Sequence, residues 1–385
     1  MNILVAMDSF KGSLTSIEAG NAVKAAVKNV DESALVEVFS VADGGEGLTQ
    51  ALLCGKDHEL RTIRVTGPLG RKVEATYGIF LRDDKKHAVI EMAAAAGLTL
   101  VPENMRNPVI TTTYGVGEMI MDAIGQGCRS FIIGIGGSAT NDAGIGMLQA
   151  LGYRFTDRDD KEVSFGATAV RDTVHISEEE TSDVLRECEF RVVCDVKNPL
   201  YGDTGCSMVF SPQKGASHEQ AVEMDGWMKC FADVVKALYP KADALAEGAG
   251  AAGGLGFALQ TFLHAGLERG IETVLRENGF AEKVAAADLV ITGEGKLDEQ
   301  TAMGKVPVGV AECAKKYGVR VLAFGGSVDR NAIDKLMRAG IDACYAITPA
   351  EMSIEEAMKK EIALENLKRE VEQELAGGSV LSNGK

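Results

Sequence analysis

Asp288-Leu289-Val290-Ile291-Thr292-Gly293-Glu294-Gly295-Lys296 decides how this chain is organised. A short apolar run stopped by an acid between two glycines reads as a buried strand ending in a polar loop. Beyond it the sequence alternates: a helix over Val306 to Tyr317, a strand over Val319 to Gly325, a helix over Asn331 to Arg338 and a strand over Ala343 to Ile347. The N-terminus has the same rhythm. Ile3 to Met7 runs into Asp8, helical spacing covers Leu14 to Val27 with Thr15 or Ser16 as N-cap, and Leu35 to Val41 leads into the Asp43 loop and a short helix to Leu53. Such alternation implies parallel strands. Five of them, at about Ile3, Val36, Leu289, Val321 and Cys344, suffice for a flavodoxin-like doubly wound sheet formed by both chain ends.

The middle of the chain differs. Arg61 to Thr66, Val73 to Leu81 and His87 to Met92 are strand-like runs joined by Gly67-Pro68-Leu69-Gly70 and Arg82-Asp83-Asp84-Lys85, connections short enough for antiparallel hairpins. A helix over Tyr114 to Ile124, a strand over Ser130 to Ile135, a helix reaching Leu151 and a strand over Phe190 to Cys194 follow. Ser217 to Leu238 is helical and carries the only tryptophan, Trp227; a helix is expected from Gly254 to Leu267 and another around Ile271 to Val284. The chain is therefore α/β with two domains: residues 1–60 and 285–385 form the flavodoxin-like one, and 61–284 a mixed α/β domain inserted into it. Glu351 to Leu375 reads as one amphipathic helix, with a frayed tail over Ala376 to Lys385.

A net charge of −16, from 40 basic and 56 acidic residues, speaks against a nucleic-acid binder or a membrane-surface protein, both of which need basic faces. The eight cysteines are scattered, without a C-x-x-C pair or histidines at zinc-ligand spacing, as expected of thiols in a reducing compartment. The start, Met1-Asn2-Ile3-Leu4-Val5, lacks a basic leader, and no run reaches transmembrane length. A cytoplasmic protein is expected, with its number of subunits left open by the sequence.

Glycine-bearing polar segments punctuate the chain: Asp8-Ser9-Phe10-Lys11-Gly12-Ser13, Ala42-Asp43-Gly44-Gly45-Glu46-Gly47, Gly134-Ile135-Gly136-Gly137-Ser138-Ala139-Thr140-Asn141-Asp142, Gly248-Ala249-Gly250-Ala251-Ala252-Gly253-Gly254 and Thr292-Gly293-Glu294-Gly295-Lys296. Glycine loops at strand ends bring backbone N–H groups close to an anion, and the interleaved carboxylates and lysines suit magnesium and phosphate. Two motifs compete. Gly134 to Ala139 fits G-x-G-x-x-A with Asp157 about 20 residues on, which keeps a nicotinamide oxidoreductase of a small hydroxy acid as the rival reading. Gly295-Lys296 and Gly304-Lys305 resemble the end of a P-loop, but Leu297 and Val306 stand where a hydroxyl is required. The five histidines sit singly, so a proton acceptor should be a carboxylate.

Taken together these segments, with Cys194-Asp195-Val196-Lys197-Asn198-Pro199-Leu200, Phe210-Ser211-Pro212-Gln213-Lys214-Gly215-Ala216 and Asp298, Thr301, Gly304 and Lys305, resemble the bacterial type-1 glycerate kinase family, in order from residue 1 to about 348. The resemblance implies ATP-dependent phosphorylation of D-glycerate, most often to 2-phosphoglycerate, with 3-phosphoglycerate as the alternative product. It also implies a substrate cleft between a flavodoxin-like and an inserted domain. Leu48 and Ala143 depart from the family pattern without removing a charged or donor group.

Phosphoryl transfer needs alignment and charge neutralisation. Asp195 is the candidate for orienting the hydroxyl or taking its proton, with Lys11 and Asn198 completing the catalytic set. Asp8, Ser9, Lys11, Asp43, Lys214 and Lys305 are expected on substrate. Gly136, Gly137, Ser138, Asn141, Asp142, Gly250, Gly253, Gly254 and Gly295 are expected to meet nucleotide or phosphate. Asp43 and Glu46, or Glu294 and Asp298, are expected to hold Mg²⁺.

Overall fold

The computed structural model of the chain describes residues 1–42, 44–45 and 47–377. Among them the strands are β1 (Asn2–Met7), β2 (Leu35–Val38), β3 (His58–Thr66), β4 (Lys72–Arg82), β5 (Lys85–Glu91), β6 (Ser130–Gly134) and β7 (Arg154–Thr156). They continue with β8 (His175–Ser177), β9 (Glu189–Val193), β10 (Gly266–Glu268), β11 (Leu289–Leu297), β12 (Arg320–Val328) and β13 (Ala343–Ala346). The chain divides into two compact units, one of Met1–Asp43, Gln50–Cys54 and Ile271–Lys385, the other of Gly44–Thr49 and Gly55–Gly270.

In the first unit the strands run β13-β12-β11-β1-β2, all parallel. Chain termini meet at its centre, where Ile3 lies opposite Leu289 and Met7 opposite Gly293. Ile3, Val5, Met7, Ile291, Leu322 and Phe324 form one buried face with the helices Ser16–Val30 and Lys360–Ala376. The intervening Leu4, Val290 and Val321 are buried too, so the strands lack the polar face of an antiparallel sheet, as expected of a doubly wound fold. Thr15 opens the first helix with a capping box, its hydroxyl accepting from Glu18 N and Glu18 accepting from Thr15 N. The expected single helix over Glu351 to Leu375 is instead two, Ile354–Ala357 and Lys360–Ala376, because Lys359 is extended at φ −63°, ψ 131°. Of the expected frayed tail, residues 378–385 lie outside the described residues.

The second unit has the order β10-β9-β6-β5-β4-β3. β3, β4 and β5 are antiparallel, as their tight connections suggest, and β5, β6, β9 and β10 are parallel. Here the helix expected to reach Leu267 stops at Phe262. His264 takes a left-handed φ of 52°, and Gly266–Glu268 then adds β10 beside β9. The divisions also differ from the expected 60/61 and 284/285. His58 already belongs to β3, and the helices Gly270–Glu277 and Phe280–Ala285 pack in the first unit, Ile271 against Gly309 and Phe280 edge-on to Phe39. No helix among the described residues is long and apolar enough to cross a membrane.

Candidate active site

In the first unit the strand order reverses between β1 and β11, the place where open α/β sheets bind ligands beyond their strands' carboxyl ends. The loops leaving those strands are tied together. Asp8 N donates to Gly293 O at 2.8 Å, Thr292 Oγ1 to Ala6 O at 2.7 Å, and Gly295 lies against the Phe10–Lys11 backbone. Around them opens a cavity of about 520 Å³ that gathers Asp8, Ser9, Lys11, Glu294, Gly295, Asp298 and Lys305 from three separate segments. Asp8 and Glu294 are buried carboxylates of its floor, whereas Lys11 and Lys296 are exposed. Lys305 Nζ stands 3.8 Å from Glu294 Oε2 and 3.3 Å from Gln300 Oε1. Lys305 is also the N-cap of the helix Val306–Lys316, which has no side-chain cap, so the positive end of that helix starts at the cavity.

Asp298 is employed differently from the expectation. Its Oδ1 accepts from Gln300 N at 2.9 Å and Thr301 N at 3.3 Å, capping a short helix, while Oδ2 lies 3.4 Å from Lys296 Nζ. Those hydrogen bonds hold its carboxyl below the usual carboxylate range, against burial. The cavity also has an apolar wall not evident from the sequence, of Phe10, Ile347, Ile354, Ala357 and Met358. Its signal was weak, since Ile354 and Met358 read as part of one amphipathic surface helix.

In the second unit the segment after β6 presents exposed Gly136 and Gly137, the latter at φ 73°, followed by buried Ser138. Lys214 Nζ donates to Ser138 Oγ at 2.8 Å and to Thr140 O at 2.7 Å. This lysine is only 2 % exposed, and burial pushes its pKa down to about 8, with Cys206 and Asp142 pulling the other way. It therefore reaches Ser138 from inside the protein and is not on a substrate-facing surface. An ammonium has no lone pair to offer, so Ser138 accepts from it and its own hydroxyl proton must point elsewhere.

Asp142 and Asn141 are turned inward as well. Asp142 is fully buried and accepts from Thr113 N and Oγ1 at 2.8 Å each, Gly144 N at 3.1 Å and Gly146 N at 3.3 Å. Burial pushes its carboxyl up, opposed by those bonds. Asn141 is equally buried, donating to Ser207 Oγ at 2.9 Å. The helix that follows begins only at Ile145, after left-handed Ala143 and Gly144. G-x-G-x-x-A therefore does not open a helix, as a dinucleotide fingerprint must.

Gly250, Gly253 and Gly254 serve backbone packing. Gly250 N donates to Asn198 O at 2.9 Å, and Gly253 and Gly254 are left-handed and pressed so closely on Thr140 O and Ala143 that a Cβ would collide. Asn198 Nδ2 is committed to Thr204 O at 2.8 Å, bracing its own loop. Asp195, exposed just past β9, has Oδ1 held by Gly270 N at 3.0 Å. Asp43 and Glu46 lie outside the described residues; their neighbours Gly44 and Gly45 lie against the end of β6, where Gly45 Cα fills the space a Cβ on Gly136 would take. Among the described residues no three His, Cys, Asp or Glu side chains cluster as a ready metal site.

Residues 3–376 match the family model described as "Glycerate kinase family". A glycerate kinase of Bacillus subtilis (strain 168) is 45% identical over 93% of both chains, and a glycerate 2-kinase of Escherichia coli (strain K12) is 43% identical over 93% of both. A crystal structure from Salmonella typhimurium LT2, described provisionally as glycerate kinase 2, superposes with a TM-score of 0.84 at 39% identity, covering 98% of this chain and 97% of that one.

Proposed function

Because this chain belongs to the glycerate kinase family, we propose that it transfers the γ-phosphoryl group of ATP to D-glycerate, at the 2-hydroxyl, giving 2-phosphoglycerate and ADP. The observation that carries this reading is the single cavity at the β1/β11 reversal, where Lys11 and Lys305 stand with Asp8 and Glu294 beside an uncapped helix start. Fixed cations and a helix N-terminus are what a polyphosphate requires. The 2-position is supported by the Escherichia coli relative, a glycerate 2-kinase.

In this reading the hydroxyl oxygen of glycerate attacks the γ-phosphorus, the bond to the ADP oxygen breaks, and the hydroxyl proton leaves to a carboxylate. Asp195 is that carboxylate, its orientation fixed by Gly270 N. Lys11 and Lys305 neutralise the charge that spreads over the transferring oxygens. Exposed Gly136 and Gly137 with the Ser138 hydroxyl offer donors to an anionic group of substrate. The donor set of the cavity suits Mg²⁺: Asp8 and Glu294 supply hard oxygens, and this ion is commonly held by one or two carboxylates plus substrate phosphates. Bound there, Mg²⁺ would neutralise phosphate charge. Asp298, committed as a helix cap, is left out of that set. A cytoplasmic location belongs to the same reading, in keeping with eight cysteines that form no disulfide.

The test is to incubate the protein with D-glycerate, ATP and Mg²⁺ and identify the product by phosphorus NMR, with enolase coupling to separate the 2- from the 3-phosphate. Failure to release ADP in a glycerate-dependent manner would refute the kinase reading. Protection against thermal unfolding by NAD instead of ATP would revive the oxidoreductase.

A further inference from the structure

The cavity at the β1/β11 reversal is too large and too apolar on one side for a three-carbon acid. Its volume of about 520 Å³ lies in the range of roughly 300–1,000 Å³ that encloses drug-sized ligands. Glycerate, with its hydroxyls and carboxylate, has nothing to gain from Ile347, Ala357 and Met358. Yet the wall contains two side chains that the protein leaves in water: Ile354 is 78% exposed and Met358 44%. Met358 lies over the phosphate-binding candidate loop, its Cε about 3.1 Å from where a Cβ on Gly12 would be.

We propose that this wall, Ile354 and Met358 above all, seats the nucleobase and ribose of the phosphate donor, with its phosphates running to Lys11, Lys296 and Lys305. The inference rests on the kinase reading for the identity of the donor. A nucleobase offers a polarisable face to a thioether and an aliphatic side chain, and a triphosphate offers charge to the lysines; the cavity has both halves in one place. The glycine-rich segments of the second unit are a poorer seat. Gly250 N is taken by Asn198 O, Gly253 and Gly254 are pressed into backbone, and Asp142 and Lys214 are buried and satisfied. The donor's position at a strand-order reversal is the one that open α/β sheets favour for nucleotides.

Photolabelling of the full chain with 8-azido-ATP and Mg²⁺, followed by peptide mapping, tests the seat directly. The expected label falls within residues 9–13 or 347–358 and is competed by ATP. A label confined to residues 134–142 or 248–254, or no ATP-competed label at all, overturns the proposal. Ile354→Asp, at an exposed site where folding is not at stake, should raise the KM for ATP about tenfold, the loss of part of one buried aliphatic contact, with the KM for D-glycerate unchanged. An unchanged KM for ATP counts against the seat. The two readings separate cleanly: ATP-competed label on the wall of a protein that makes no phosphoglycerate supports the seat and refutes the kinase reading.

Discussion

The strand-end loops of the two units are built from the same residue types but treat them in opposite ways. In the first unit, Asp8, Lys11, Glu294 and Lys305 line a cavity, with Lys305 beside Glu294. In the second, Asn141, Asp142 and Lys214 are buried and hydrogen-bond to neighbouring protein groups. An acid or a lysine beside a glycine loop is thus no site by itself. What distinguishes the two sets is whether the group lines a cavity or is enclosed by protein, where a polar group without partners is costly.

Mutations sharpen that contrast. The largest effect is expected for Lys11→Met, about a 10³-fold loss in kcat/KM, because a cation aligned on developing charge is removed. Circular dichroism should remain native; an unfolded variant would make Lys11 scaffold like Lys214. Asp142→Ala is expected to fail by the opposite route. Leaving the Thr113, Gly144 and Gly146 donors unpaired should cost about 3 kcal/mol of stability in urea unfolding. A stable variant with a raised KM for ATP would return Asp142 to the nucleotide. Asp195→Asn should lower kcat about 10²-fold with the fold intact, and near-normal turnover would remove it as the proton acceptor.

Lys214 gives a smaller effect with a definite sign. Its pKa in the folded protein, about 8, lies below the ordinary lysine value, so between about pH 8 and 10.4 the unfolded chain binds more protons and stability must rise with pH. Below that window the full burial penalty is present. Relative to Lys214→Met, the natural protein should therefore gain about 2 kcal/mol between pH 7.5 and 10, measured by urea unfolding at both pH values. A flat difference would mean the ammonium is well solvated. Smallest is Asp298→Ala, which should cost about 1 kcal/mol as a lost N-cap and leave the Mg²⁺ concentration for half-maximal activity unchanged.

The parallel sheet was legible because its strands are continuous apolar runs, Ile3 to Met7 and Leu289 to Thr292, that end in glycine and acid. The hairpins were legible in Gly67 to Gly70 and Asp83-Asp84 for the same kind of local reason. β10 was not: Gly266–Glu268 is three residues long, and only β9 beside it makes it a strand. Likewise Asp8, Ser9, Lys11, Glu294 and Lys305 were identified from their loops and do meet in one cavity. Gly250, Asn198 and Asp298 looked no different in sequence, yet one packs backbone, one braces a loop and one caps a helix.

By itself the sequence determined the parallel strands of the first unit, the fact that both chain ends build one sheet, and the family, because hydrophobic period and loop composition are local properties. Only the tertiary structure decided which polar groups are spoken for. Hydrogen-bond partners such as Thr113 for Asp142, or Ser138 for Lys214, lie tens of residues away along the chain, and the balance between desolvation and pairing exists only once they meet.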